Sequence, residues 1–115
     1  MVVVDDLILQ RVRAAIESVD HKTQVRAAYL FGSRAAGTAD EYSDIDVAAF
    51  LADAEQLTLE RRIRLGVEVR ELFDDEIEMH FLPAESLENP SPSSFAAFVL
   101  EHGIPIWERP GQATN

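Results

Sequence analysis

Leu30-Phe31-Gly32-Ser33-Arg34-Ala35-Ala36-Gly37, followed shortly by Tyr42-Ser43-Asp44-Ile45-Asp46-Val47, decides how this chain folds. The first stretch ends an apolar run, residues 25–31, dense in β-branched and aromatic residues and therefore read as a strand. The second opens another apolar run, 45–51, read as a second strand. Residues 32–43, rich in Gly, Ser, Ala and Asp, read as a turn with room for one short helical piece. A connection of this length suits neighbouring antiparallel strands, which would bring Ser33 close to Asp44. Along the second strand, the period of two sets Asp44, Asp46 and Ala48 on one face and Ile45, Val47 and Ala49 on the other.

Two carboxylates thus project together from an otherwise apolar strand. Burying them unpaired would be costly, so they need a cation or hydrogen-bond donors. Hard oxygen ligands at i and i+2 suit Mg²⁺, which takes one or two carboxylates alongside phosphate oxygens. Gly32-Ser33 supplies the complement: glycine permits a tight turn and close approach, and the following N–H groups and serine hydroxyl can donate to a phosphate. A short helix starting near Arg34 would turn its positive end to the same anion. Arg34 itself either adds charge there or points to solvent, and Gly37 closes the turn. Singly, a Gly-Ser pair is most often a turn and an Asp-x-Asp a surface pair or cap. Together on strand–turn–strand scaffolding they are far more specific.

Outward from this centre, Leu7, Ile8, Val12, Ala15, Ile16 and Val19 recur at helical spacing over residues 5–20, with Asp5 and Asp6 favouring the helix start. Asp53, with Gln56 three positions on, has the pattern of a capping box. It is expected to open a long amphipathic helix to about Phe73, carrying Leu59, Ile63, Val67 and Leu72 inward. Arg61, Arg62, Arg64 and Arg70 interleave with Glu60, Glu68 and Glu71 on that helix as a solvated, salt-bridged face. Ile77, Met79 and Phe81 alternate with Glu78 and His80, giving a third strand with two different faces. After a loop over 83–91, Pro92 is expected in the first turn of a last helix that Gly103 ends. Residues 104–107 form a short strand packed through Trp107. The order is α-β-(α)-β-α-β-α-β in one α/β or α+β layer arrangement, without repeats or a dividing linker.

The bulk properties agree. At 115 residues the chain is one domain able to bury a core, with a 47% apolar fraction ordinary for a globular protein. It has no cysteine, which excludes disulfides and thiolate metal sites. The longest apolar run, 47–52, is too short to span a bilayer, and Val2-Val3-Val4 runs straight into Asp5 and Asp6, unlike a signal peptide. The cytoplasm is the default expectation. With 21 acidic against 10 basic residues, the net charge of -11 disfavours general DNA or RNA binding and is compatible with divalent cations or a basic protein partner.

The two opening stretches resemble the signature of the DNA polymerase beta superfamily of nucleotidyltransferases. More narrowly they are similar to the minimal nucleotidyltransferases, whose motif is Gly-Ser, ten residues, then Asp-x-Asp; ten residues separate Ser33 from Asp44. Helix order and length match as well, so the resemblance covers nearly the whole chain, with 1–109 as the domain and 110–115 as a flexible tail. It implies a nucleotidyltransferase fold, a mixed sheet of about four strands with helices mainly on one face and the active site on the other. It also implies ATP or another NTP as substrate and two Mg²⁺ ions held by three carboxylates. Asp44 and Asp46 match the family's catalytic metal ligands, and Gly32 and Ser33 match the residues holding the β- and γ-phosphates, with Arg34 beside them. The implied reaction is in-line displacement at the α-phosphorus with pyrophosphate leaving.

The family's third carboxylate, usually an Asp, lies on the strand after the long helix. Strand parity offers Glu78 there as catalytic and metal-binding residue, one methylene longer, with Glu76 nearer the strand end as second choice. His80 shares that parity and could touch substrate or phosphate, although a surface histidine accounts for it more simply. His21 and His102 lie near helix ends, where a partly positive imidazole is favourable. The resemblance implies an acceptor presented by a partner, a HEPN ribonuclease toxin whose tyrosine would receive AMP, with this chain as antitoxin. Two rivals remain at this point: a binding antitoxin, weak or inactive in catalysis, that neutralises a basic partner by complex formation, and nucleotidylation of a small molecule such as an aminoglycoside, which would need a further helical domain.

Overall fold

Asp5 starts the first helix as its N-cap, its carboxylate accepting from the Leu7 N–H at 2.8 Å. In the computed structural model, which describes residues 4–40 and 43–109, this helix is α1, Asp6–Asp20. There follow β1 (Val25–Phe31), the four-residue α2 (Ser33–Ala36), β2 (Ile45–Leu51), α3 (Leu59–Leu72), β3 (Ile77–Pro83), α4 (Phe95–His102) and β4 (Ile104–Glu108). The strands form one sheet in the order β3-β2-β1-β4. β1 runs antiparallel to β2, to which residues 32–44 join it directly, and also to β4, whereas β2 and β3 are parallel because α3 carries the chain back across the sheet. The expected mixed α/β architecture is the one observed.

Side-chain alternation divides the core between the two sheet faces. On one, Ile45, Val47, Ala49 and Leu51 of β2 and Leu30 of β1 pack with Val12, Ile16 and Val19 of α1 and Val69 of α3. On the other, Phe31, Ala48 and Phe50 pack with Ala96 and Val99 of α4. The two long helices therefore share one face and the short α4 lies on the other, mainly against β1. Arg109 anchors the last strand to the first helix, donating to Asp20 Oδ1 at 2.6 Å.

The structure corrects four expectations. Asp53 caps only a 3-10 turn at Ala54–Gln56 and makes no side-chain cap bond; the long helix starts later, at Thr58, whose Oγ1 accepts from Arg61 N at 3.1 Å. The inward face of α3 is Leu65 and Val69, while Leu59, Ile63, Val67 and Leu72 are exposed, Leu59 by 73%. Arg62 is no solvated residue: its guanidinium donates to the carbonyls of Ala54 (2.9 Å), Phe81 (3.3 Å) and Leu57 (3.4 Å), clasping α3 to the loop before it and to β3. Pro92 precedes the last helix, which Ser94 caps by accepting from Ala97 N at 3.1 Å. Gly103 does end that helix. Residues 110–115, expected to be a tail, lie outside the described residues. Among the described residues, no helix is long and apolar enough to cross a membrane.

Candidate active site

The turn after β1 holds the site together. Gly32 has φ 75° and ψ -155°, a region open to glycine and almost closed to other residues. A Cβ there would stand 2.4 Å from Asp46 Oδ2, so glycine is needed for the space as well as the backbone. Strand pairing produces the contact, because Phe31 is the register partner of Asp46. The turn continues into α2, and Gly37, φ 80°, closes it as the left-handed C-cap. Spacing in the sequence has become direct contact between the Gly-Ser turn and the Asp-x-Asp strand.

On the far side of β2, Asp46 pairs in parallel register with Glu78, and Ala48 with His80. Asp46 is partly buried and Glu78 half exposed, as an edge-strand position allows. Among the described residues, ligand atoms of Asp46, Glu78 and His80 form a group within 4.8 Å of one another. Asp44 is exposed just before β2 and stands outside that tight group, yet close enough that its charge acts on Asp46. Glu76, the second choice for the third carboxylate, turns instead to Arg34, with Oε2 and Nη2 3.7 Å apart. Arg34 also donates from Nη2 to the Ser43 carbonyl at 3.0 Å, tying the start of the turn to the approach of β2.

Asp46 carries the electrostatic strain of this arrangement. Its pKa is raised above the ordinary carboxylate value, first by burial, then by the negative charge of Glu78 and, more weakly, of Asp44, while the His80 imidazole opposes the rise. A divalent cation bound between the carboxylates would relieve their repulsion. For His80, which the sequence explains most simply as a surface histidine, the structure shows a different setting. The structure places its Nε2 3.8 Å from both Asp46 Oδ1 and Glu78 Oε1, with the ring against Phe31. Parity with Glu78 was the available signal; the covering Phe95 of α4 could not be seen from β3 alone.

A glycine turn locked onto a carboxylate strand within a mixed sheet is the arrangement of nucleotidyltransferases. The chain belongs to the Polymerase beta, Nucleotidyltransferase family, whose model matches residues 14–112. Among solved structures, a candidate nucleotidyltransferase from Sulfolobus solfataricus superposes with a TM-score of 0.63 at 17% identity, over 90% of this chain and 82% of that one. A toxin–antitoxin structure with AMP-PNP superposes with a TM-score of 0.57 at 24% identity, over 84% of this chain and 73% of that one. At such identities the likeness speaks for the fold. No curated protein shows significant sequence similarity.

The family implies a divalent cation, and the residues present fit one. His80 Nε2 is buried without a hydrogen-bond partner among the described residues, beside two carboxylates too distant to accept from it. The cluster offers one nitrogen and two carboxylates whose ligand atoms lie within 4.8 Å of one another.

Proposed function

We propose that this nucleotidyltransferase moves AMP from ATP to a hydroxyl of a partner protein, with a HEPN-type toxin as that partner and neutralisation as the outcome. The observation that supports the reading is the close approach of Gly32 to the Asp46 carboxylate, which sets the Gly-Ser turn directly beside the Asp-x-Asp strand. In this reading Gly32 and Ser33 offer backbone N–H and hydroxyl donors to the β- and γ-phosphates. Arg34 adds positive charge behind them while its guanidinium braces Ser43. Asp46 and Glu78, with Asp44 from the strand mouth, hold Mg²⁺ or a similar ion. Such an ion, when bound, screens the phosphates and stabilises charge on the leaving pyrophosphate.

The acceptor oxygen bonds to the α-phosphorus as the bond to the pyrophosphate oxygen breaks, and the hydroxyl proton passes to a carboxylate. We assign that role to Glu78, and its half exposure on the edge strand supports the assignment. An acceptor on another protein is supported by the exposure of this edge, and the acidic surface suits a basic partner. The toxin–antitoxin structure that shares the fold was solved with AMP-PNP, in keeping with an adenine nucleotide here.

The test is incubation of the chain and its partner with a divalent ion and ATP labelled at the α- or the γ-phosphate. Label from the α-position should appear on the partner, that from the γ-position should not, and Asp46→Ala should give neither. Neutralisation of the partner by Asp46→Ala without any label would instead establish a binding antitoxin.

A further inference from the structure

We propose that His80 is a protein ligand of the cation site, joining Asp46 and Glu78, and that its nitrogen donor biases the site toward Mn²⁺ over Mg²⁺. The inference rests on the nucleotidyltransferase reading of the same cluster and adds to it the identity of a ligand and of the ion.

Three observations carry it. First, β3 presents Glu78 and His80 on one face, and the register sets His80 opposite Ala48, a methyl group that leaves the imidazole free to lean toward Asp46. Nε2 stands 3.8 Å from a carboxylate oxygen on each side. Ligands of one cation with bonds of about 2.1 Å are separated by at most about 4.2 Å, so both separations fit a shared ion. They are too long for hydrogen bonds, so the histidine is not already satisfied by its neighbours.

Second, Nε2 is buried and has no partner among the described residues, although the side chain as a whole is 34% exposed. A surface histidine would turn both nitrogens to water. Here the unpaired Nε2 is instead buried beside the two carboxylates.

Third, the ring is held. Phe31 meets it edge-on at 5.2 Å and 65°, Phe95 lies 5.6 Å away, and the two phenyl rings are themselves 5.2 Å apart. This three-ring cluster joins β1, β3 and α4, and it fixes the imidazole in the direction of the site before any ion arrives. Pre-set donors lose little freedom on binding, which is how a ligand set gains selectivity.

The chemistry follows from the donor type. Mg²⁺ favours an all-oxygen octahedron, whereas a neutral imidazole is a good ligand for first-row transition ions. Two carboxylates and one imidazole leave the remaining positions to phosphate oxygens and water, an arrangement Mn²⁺ accepts readily.

The experiment uses the full chain with histidine labelled by ¹⁵N in the ring, Mn²⁺, and inorganic triphosphate, which contains no nitrogen. Pulsed EPR of the bound Mn²⁺ should show coupling to a ring ¹⁵N that disappears in His80→Ala and persists in His21→Ala and His102→Ala. In parallel titrations, Mn²⁺ should bind at least tenfold more tightly than Mg²⁺, and His80→Ala should lose about tenfold or more for Mn²⁺ while changing Mg²⁺ little. Should His80→Ala not fold, the coupling in the wild-type chain decides alone. Mn²⁺ bound in an Asp46-dependent way without ring coupling overturns the role of His80 and leaves the transferase reading standing. Equal wild-type affinities for the two ions overturn the selectivity. No bound ion even with triphosphate present overturns both.

Discussion

Gly32 shows how one residue can serve backbone geometry and chemistry together. Its φ of 75° and the 2.4 Å gap from a would-be Cβ to Asp46 Oδ2 mean that Gly32→Ala must both strain the turn and push the carboxylate. We expect a loss of about 1–3 kcal/mol in denaturant melts and a fall in nucleotide affinity. Gly66 makes the control: nothing lies within 4 Å of its would-be Cβ, so Gly66→Ala should stabilise α3 by about 0.5–1 kcal/mol. Asp46 yields a pH-dependent prediction. Because its native pKa is raised, the protonated form is the one the fold favours, and that contribution is full at low pH and lost as pH rises through the native value. At neutral pH the ionised Asp46 is therefore a burden on the fold. Asp46→Asn should raise Tm by a few degrees at pH 7, with the gain shrinking as pH falls toward the usual carboxylate range near ~4. A Tm of Asp46→Asn equal to or below wild type at pH 7 would contradict this account.

Among the elements, the strands were legible and the long helix was not. β1 and β2 begin and end where alternation and turn residues place them, because a sheet covered on both faces tolerates little else. Asp53 and Gln56 imitate a capping box, but a 3-10 turn uses them, and Leu57 in extended conformation interrupts the chain before Thr58. α3 also carries two apolar stripes. Ile63 and Leu65 are two positions apart and so face different sides; packing against the sheet chose Leu65 and Val69, leaving Ile63 59% exposed. The sequence could not rank the two stripes, since that choice is made by what lies beneath. Thr58→Ala should accordingly cost about 1 kcal/mol and Asp53→Ala much less. Likewise Leu65→Ala should cost about 2–5 kcal/mol, against less than about 0.5 kcal/mol for Ile63→Ser. Thermal melts of the four variants check both points, and equal costs within either pair would contradict Thr58 as the cap or Leu65 as the inward face of α3.

For the whole molecule, the site was legible to the extent that strand pairing dictates it. Ten residues between Ser33 and Asp44 and an antiparallel pair suffice to bring the turn onto Asp46, and parity suffices to bring Glu78 alongside. His80 required more, because its surroundings come from β1 and α4, distant in sequence and joined to β3 only by the fold. Arg34 likewise resolved only in three dimensions, into a brace between Ser43 and Glu76. The charge of -11 gives this fold little attraction for a triphosphate except where a cation mediates. That dependence offers the most direct test, isothermal titration of ATP into the purified chain with divalent ion or with chelator. Binding should require the ion, vanish in Asp46→Ala and weaken in Gly32→Ala. Equal binding in chelator, or undiminished binding by Asp46→Ala, would contradict a shared cation and triphosphate site.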